Sequence, residues 1–158
     1  MTFYDCDAIA PLSYVQRYGV CLASDHPYLL GAFDRNAQSP IVSEKIKVRK
    51  IVLLGGSHIE AKKAIDRGHP FIGGITVFPD LGTFEGKGIY RNKLKNKNKN
   101  WARHAVLVVG YGVTFSGEEY YIVQNSWGDD WGDNGLGKIS CELIDPQVFV
   151  DEAYVEMS

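Results

Sequence analysis

The sequence lacks three features that would each point to a particular class of protein. It has only three cysteines, and an odd number cannot all pair within one chain, so a complete disulfide framework is excluded. No apolar stretch approaches the ~20 residues needed to span a bilayer, so no membrane-spanning helix is predicted. The formal net charge is only −2, which gives no bulk electrostatic reason to expect binding to nucleic acid or to a membrane surface.

The beginning of the sequence also lacks the marks of a secretory signal. Residues 1–7 contain neither a basic region nor an apolar run, so we expect no signal peptide in this sequence. The overall composition is that of an ordinary globular protein. At 158 residues and 45% hydrophobic content, the chain is long enough and apolar enough for one domain with a core.

The most informative segment is 104–135. His104 opens an apolar strand, and Asn125 closes the strand that follows. The polar turn between the two strands is centred near residues 115–116, so folding the hairpin there places His104 and Asn125 nearly opposite each other. An amide oxygen on an imidazole N–H holds a general-base histidine in one tautomer and one orientation. The pattern therefore predicts a histidine in a catalytic-type position.

Local signals also predict the secondary structure. Ser57 and Glu60 match a capping box that starts a helix, and Gly68 ends it. The predicted helices are 11–18 and 57–67, and the predicted strands are 48–54, 71–78, 104–112, 119–125 and 136–141. Gly73 and Gly74 lie inside one of these strands, where they indicate either a substrate-facing edge or a bulge without a ligand.

Three segments carry a resemblance to a known family. The motifs HAVLVVGYG (104–112), YYIVQNSWG (120–128) and WGDNGLGKI (131–139) resemble the histidine and asparagine signatures of the papain-like cysteine peptidases. Weaker similarity extends the resemblance over about residues 8–155, which in the family is the back two-thirds of the catalytic domain. The front third of that domain, with the oxyanion-hole glutamine and the cysteine nucleophile, has no counterpart in this sequence.

The resemblance implies an α+β fold of the papain-like type. It would consist mainly of the antiparallel β-barrel or sheet lobe, with part of the helical lobe. On this interpretation residues 1–158 form a single peptidase domain, in which 8–30 are a remnant of the helical lobe. Residues 45–158 are then the β-rich lobe that carries the histidine and the asparagine.

The resemblance also assigns roles to residues. His104 and Asn125 would be the catalytic general base and its orienter, with Trp127 shielding their hydrogen bond from water. Gly128 and Trp131 would support this arrangement. The residues that we expect to line the substrate cleft are Gly73, Gly74, Arg103 and Ala105. Arg103 departs from the family, and a cation beside the imidazole would disfavour its protonated form.

None of the cysteines has the setting of the family's nucleophile. Cys21 precedes His104 by too few residues and follows a predicted helix, whereas a thiolate is stabilised at a helix N-terminus. Cys6 resembles a disulfide cysteine of the family, and Cys141 lies beyond the asparagine. The other histidines have no metal-ligand spacing, so we predict neither a metal site nor a cofactor.

Three interpretations remain open. The first is a papain-family cysteine peptidase, acting by thiol-dependent hydrolysis of peptide bonds, that retains His104 and Asn125 but is inactive as this chain alone. The second is a non-catalytic pseudopeptidase that acts as a binding or decoy module. The third is a fragmentary gene model. The expected partners are a peptide or protein substrate and a chain that associates through the surface exposed between the lobes. The family is typically vacuolar, lysosomal or extracellular, but the sequence leaves the compartment open.

Overall fold

The computed structural model describes residues 8–25, 44–92 and 102–157. Its elements, in chain order, are α1 (Ile9–Tyr18), β1 (Glu44–Leu53), α2 (His58–Asp66), β2 (Phe71–Thr76), β3 (Ile89–Tyr90), β4 (Arg103–Val113), β5 (Glu119–Gln124), β6 (Leu136–Ser140) and β7 (Ile144–Met157). A single 3₁₀ turn at Cys141–Leu143 joins β6 to β7. The α+β class is thus confirmed. No helix of the described part is both long and apolar enough to cross a membrane.

The chain divides into two compact units. The larger unit is built on residues 52–150, and the smaller unit is built on residues 9–51 and 151–158. The division does not test the predicted boundaries, so the assignment of 8–30 to a helical lobe and of 45–158 to a β-rich lobe stays a prediction.

The larger unit is organised around one sheet. Its strands lie in the order β7-β2-β4-β5-β6-β3, and every pair is antiparallel except β3 with β6. Within the described residues the two ends of the sheet are different strands that do not pair, so the sheet is open. Of the two descriptions that the resemblance allowed, the sheet fits this unit and the closed barrel does not.

The core of the larger unit lies on one face of this sheet. Phe71 of β2, Val108 of β4 and Val123 of β5 are paired across neighbouring strands and are fully buried. Helix α2 joins this core through Ala61 and Ala64, whose small side chains allow the helix backbone to approach closely. Burying side chains of this kind stabilises the fold by ~1.5 to 3 kcal/mol for each large apolar residue.

Helix α2 begins and ends where the sequence predicts. The Ser57 side chain accepts a hydrogen bond from the Glu60 backbone N–H at 3.3 Å. The reciprocal half of the capping box is absent, because the Glu60 carboxylate instead pairs with Lys63 at 2.8 Å. Gly68 has a φ of +83°, the left-handed conformation that terminates helices, and its N–H donates to Ile65 O.

The β4–β5 hairpin is also confirmed. Its turn is closed by the Thr114 N–H, which donates to Glu118 O at 2.9 Å. One feature was not predicted, namely a β-bulge between Val108 and Gly110 that shifts the pairing by one residue. Val108 lies on one side of the bulge and the pair of Tyr111 with Tyr121 lies on the other. Val108 and Tyr121 are nevertheless both fully buried.

The smaller unit contains α1, β1 and the end of β7. Ion pairs join the two strands, with Lys47 to Glu156 at 2.8 Å, Arg49 to Glu152 at 2.6 Å and Lys50 to Asp151 at 2.5 Å. The Gln16 side chain of α1 donates to the Arg49 carbonyl at 3.0 Å. No residue of α1 is buried.

The sequence-based prediction missed β7. Strand β7 contains Pro146, and a proline argues against an interior strand because it cannot donate to the ladder. The structure accommodates Pro146 opposite Gly73, at the point where the β2–β7 register shifts by one residue. The Gly56 N–H donates to the Pro146 carbonyl at 2.9 Å, so the carbonyl at this irregular point has a hydrogen-bond partner.

Candidate active site

His104 and Asn125 meet at one end of the β4–β5 hairpin. The ladder ends at the pair Leu107 and Gln124, so the two side chains approach each other diagonally just beyond it. The Asn125 N–H donates to Gly135 O at 2.9 Å, which fixes the backbone of the residue. His104 Nε2 lies 2.7 Å from Asn125 Oδ1. The predicted hydrogen bond is therefore present.

The main chain determines the tautomer of His104. The Ser126 backbone N–H lies 2.8 Å from Asn125 Oδ1 and can only donate, so this atom of the amide must be the oxygen. Because Oδ1 only accepts, His104 Nε2 must carry the proton. The lone pair of the neutral imidazole is then on Nδ1, which is the nitrogen able to act as a base.

One tryptophan covers the histidine, and a second tryptophan packs against the first. The Trp127 ring stacks on the His104 ring, with centroids 4.8 Å apart and planes inclined by 21°. Trp131 is buried and meets Trp127 edge-on at 6.0 Å, and its indole N–H donates to Leu81 O at 2.8 Å. Trp127 is half-exposed, whereas Trp131 anchors the loop beneath it. The imidazole therefore has one face covered, which strengthens and orients its hydrogen bond.

Glycines shape the loop that carries the tryptophans. Gly128 has a φ of +91°, and its carbonyl accepts the Trp131 N–H at 3.3 Å. Gly132 has a φ of +66°, and a Cβ there would lie 2.2 Å from Leu136 O. A side chain at Gly132 would collide with the backbone, so the path of this loop requires glycine.

The four residues expected in the substrate cleft occupy two faces of the sheet. A Cβ on Gly73 would lie 2.8 Å from Ile144 Cγ2 and would point toward the core. Gly74 pairs with Ala105, and Arg103 lies on the same face as Ala105 because strand residues alternate. The structure brings Gly74, Arg103 and Ala105 together, but on the face opposite His104 and Gly73. Their cleft role stays a prediction.

Arg103 has a partner of its own. Its guanidinium crosses Gly74, where a Cβ would lie 2.5 Å from Nη2, and donates to Asp145 Oδ2 at 3.0 Å. The absence of a side chain at Gly74 makes this crossing feasible. The cation is thus opposed by a carboxylate and lies on the face of the sheet opposite the His104 side chain.

Neither described cysteine has the setting of a nucleophile. Burial raises the pKa of the Cys141 thiol to about 11, with Lys62 lowering it and Glu119 raising it to smaller extents, so this thiol is protonated at neutral pH. Cys21 belongs to the smaller unit, and Cys6 lies outside the described residues. The described residues contain no group of three histidine, cysteine or acidic side chains able to hold a metal.

Comparison with known proteins identifies the family. The model for "Papain family cysteine protease" matches residues 6–148, so the chain belongs to the papain family of cysteine peptidases. A cysteine proteinase of Theileria annulata is 34% identical over 129 residues, covering 81% of this chain and 27% of that protein. Pro-cathepsin H of Medicago truncatula is 31% identical over 108 residues, covering 66% of this chain and 30% of its own. The chain thus spans less than a third of these curated relatives.

Solved structures show the same fold. Procathepsin B S9 from Trypanosoma congolense superposes with a TM-score of 0.68 at 24% identity, over 93% of this chain and 52% of its own. Digestive procathepsin L2 from Tenebrio molitor superposes with a TM-score of 0.65 at 27% identity, over 87% of this chain and 44% of its own. The fold is papain-like, as the sequence motifs predicted.

Proposed function

We propose that this chain is the part of a papain-type cysteine peptidase that carries the catalytic histidine and asparagine. The observation that supports this most strongly is the 2.7 Å contact between His104 Nε2 and Asn125 Oδ1, beneath the stacked Trp127. The backbone of Ser126 adds to it by leaving His104 Nδ1 as the basic nitrogen. Papain-family peptidases act on peptide or protein substrates, and we propose the same class of substrate for the complete site.

His104 performs the proton transfers in the proposed mechanism. Its Nδ1 accepts the proton of a cysteine thiol, and the thiolate then attacks the carbonyl carbon of the peptide bond. The imidazolium returns the proton to the departing amine, which leaves a thioester. A water molecule attacks the thioester while Nδ1 takes its proton, and the thiol is regenerated with release of the carboxylic acid. Asn125 keeps the ring oriented throughout these steps.

We propose that a front segment, which this sequence does not contain, supplies the thiol and the oxyanion donors. Asn125 Nδ2 supports this, because it is buried without a hydrogen-bond partner among the described residues. Buried amide donors are nearly always paired in complete proteins. Helix α1 gives independent support, since Tyr14 and Tyr18 are exposed on it and would be covered by a further lobe. We therefore propose that each of these two regions associates with that segment and that the chain alone is inactive.

The alternative is a non-catalytic binding module of the same fold. The high pKa of Cys141 favours it, because a protonated, buried thiol cannot replace the family's nucleophile. The alternative predicts that no added segment restores hydrolysis.

Complementation distinguishes the two proposals. The front third of a close papain-family relative is co-expressed with this chain, and hydrolysis of a fluorogenic peptide is measured together with labelling by a thiol-directed epoxide. We expect hydrolysis to appear only in the complex and to be abolished by His104→Ala. The matched control is His69→Ala, which alters a histidine that packs on Phe149 at 5.4 Å and should retain activity. A well-folded complex without activity would refute the peptidase proposal in favour of the binding module.

A further inference from the structure

A second surface of the larger unit has the form of a binding site. It is a groove of about 690 Å³, which we call the hairpin groove. The residues that line it include Ile89, Arg91, Val113, Phe115, Tyr120 and Lys138. This volume is within the range of ~300 to 1,000 Å³ that ligand sites in proteins occupy. His104 and Val113 lie near opposite ends of β4, ~30 Å apart at ~3.3 Å per residue, so the groove is separate from the candidate active site.

The floor of the hairpin groove is an aromatic ring held across a glycine. Tyr120 pairs with Gly112 on the neighbouring strand. A Cβ at Gly112 would lie 2.5 Å from the Tyr120 hydroxyl oxygen, so the ring covers the place where a side chain would be. Because glycine leaves this place empty, the ring lies over the strand and forms an apolar floor.

The walls of the groove expose apolar groups to solvent. Val113 is 63% exposed, and Phe115 at the tip of the hairpin is fully exposed. The turn that carries Phe115 is held by its own hydrogen bonds, since Thr114 N–H donates to Glu118 O at 2.9 Å and Gly117 N–H donates to Thr114 O at 3.0 Å. An aromatic side chain presented on a well-bonded turn, beside a second apolar side chain, is typical of an interaction surface.

The charged lining residues of the hairpin groove are both cations. Glu118 accepts from Arg91 Nε at 2.6 Å and from Arg91 Nη2 at 2.5 Å, which fixes the guanidinium. The Lys138 ammonium lies 5.6 Å from the centre of the Tyr120 ring and is exposed. No carboxylate is among the described residues that line the groove. Since Glu118 offsets much of the Arg91 charge, Lys138 supplies most of the attraction for an anion.

We propose that the hairpin groove binds an extended acidic peptide segment that carries apolar side chains. An aromatic or leucine side chain of the segment would pack between Phe115 and the Tyr120 ring, while a neighbouring carboxylate pairs with Lys138. A purely polar anion would leave the apolar walls unused, and a basic peptide would be repelled by Lys138. This binding does not depend on the chemistry of His104.

Binding is tested on the full chain with three fluorescein-labelled twelve-residue peptides, using fluorescence anisotropy. The first peptide alternates glutamate with phenylalanine and leucine, the second replaces every glutamate by lysine, and the third keeps the glutamates and replaces the apolar residues by serine. We expect the first peptide to bind at least ten-fold more tightly than the other two. Its affinity should fall as sodium chloride is raised, because the carboxylate–ammonium attraction is screened.

Two substitutions locate the site. Phe115→Ser and Lys138→Glu should each weaken binding of the first peptide about ten-fold or more. The matched controls on the solvent side of α2 are Ile59→Ser and Lys63→Glu. These two variants and His104→Ala should each change the affinity for the first peptide less than two-fold. Phe115 is fully exposed, so its replacement should leave the fold unchanged. Three outcomes would overturn the proposal. The three peptides could bind equally well, none could bind at millimolar concentration, or the affinity of the first peptide could be unaffected by Phe115→Ser and Lys138→Glu. Equally tight binding of phenylpropionate would overturn the peptide assignment.

Discussion

The two units of the chain are stabilised in different ways. The larger unit buries a continuous apolar cluster that includes Phe71, Val108 and Tyr121. The smaller unit relies on cross-strand ion pairs such as Arg49 with Glu152, both of whose side chains are substantially exposed, and leaves α1 without a buried residue. Exposed ion pairs contribute little, ~0 to 1 kcal/mol each, whereas buried apolar side chains contribute several-fold more. The histidine site belongs to the unit that has its own core.

The largest expected effect tests whether apolar burial dominates the larger unit. Phe71→Ala should lower the free energy of unfolding by ~3 to 5 kcal/mol, because it removes a fully buried ring and leaves a cavity. Tyr14→Ala, an exposed aromatic residue of α1, should change it by less than ~0.5 kcal/mol. Urea denaturation followed by tryptophan fluorescence measures both. Similar losses for the two variants would contradict the contrast between the units.

A smaller effect concerns the two thiols that lie within the described residues, Cys21 and Cys141. The pKa of Cys141 is raised by burial from 9.0 to about 11, so the folded chain binds more protons than the unfolded chain between these pH values. The protonated thiol therefore makes its full contribution to the free energy of unfolding below pH 9. As the pH rises toward 11, the free energy of unfolding should fall by ~1 to 2 kcal/mol.

This pH dependence is isolated by substitution. The loss of unfolding free energy between pH 8 and pH 10.5 should be smaller in Cys141→Ala than in the unaltered chain. The matched control is Cys21→Ala, which removes a thiol of the smaller unit that is less buried than Cys141. If both variants behaved alike, Cys141 would not be the buried thiol that the structure indicates.

The smallest effect is expected in the smaller unit. Arg49→Ala should cost only ~0 to 1 kcal/mol, since the exposed pair with Glu152 and the contact of the guanidinium with the Tyr154 ring at 4.9 Å are weak. Raising sodium chloride to 1 M should remove most of this difference. Lys63→Ala, which breaks an exposed ion pair of the larger unit, is the matched control. A loss above ~2 kcal/mol that persists in high salt would show that the pair is buried.

Elements with local signals were predictable. Ser57 and Gly68 bound α2 because capping depends on residues within one turn of the helix. The hairpin was predictable for the same reason, since strand alternation and a short polar turn fix which residues face each other. Its register was accurate enough to bring His104 and Asn125 together despite the bulge near Gly110, because the pair interacts diagonally.

Elements that depend on distant partners were not predictable. Strand β1 begins at Glu44, before the predicted start at residue 48. Its first residues are rich in charge, which is typical of a loop, and their pairing with Glu152 and Glu156 of β7 is visible only in the structure. Strand β7 was missed because Pro146 argues against a strand unless the pairing is irregular at that point, as it is here, where Gln147 of β7 is left without a partner in β2. Both cases require contacts between residues that lie more than 70 positions apart in the sequence.

The sequence by itself determined the family, the β4–β5 hairpin and the pairing of His104 with Asn125, because each rests on residue types at short, regular spacing. Only the tertiary structure decided the orientation of the Asn125 amide, through the Ser126 N–H, and hence which nitrogen of His104 carries the proton. It also directed Arg103 across Gly74 to Asp145. These details depend on distances of a few tenths of an ångström and on strands far apart in the chain, which residue spacing does not encode.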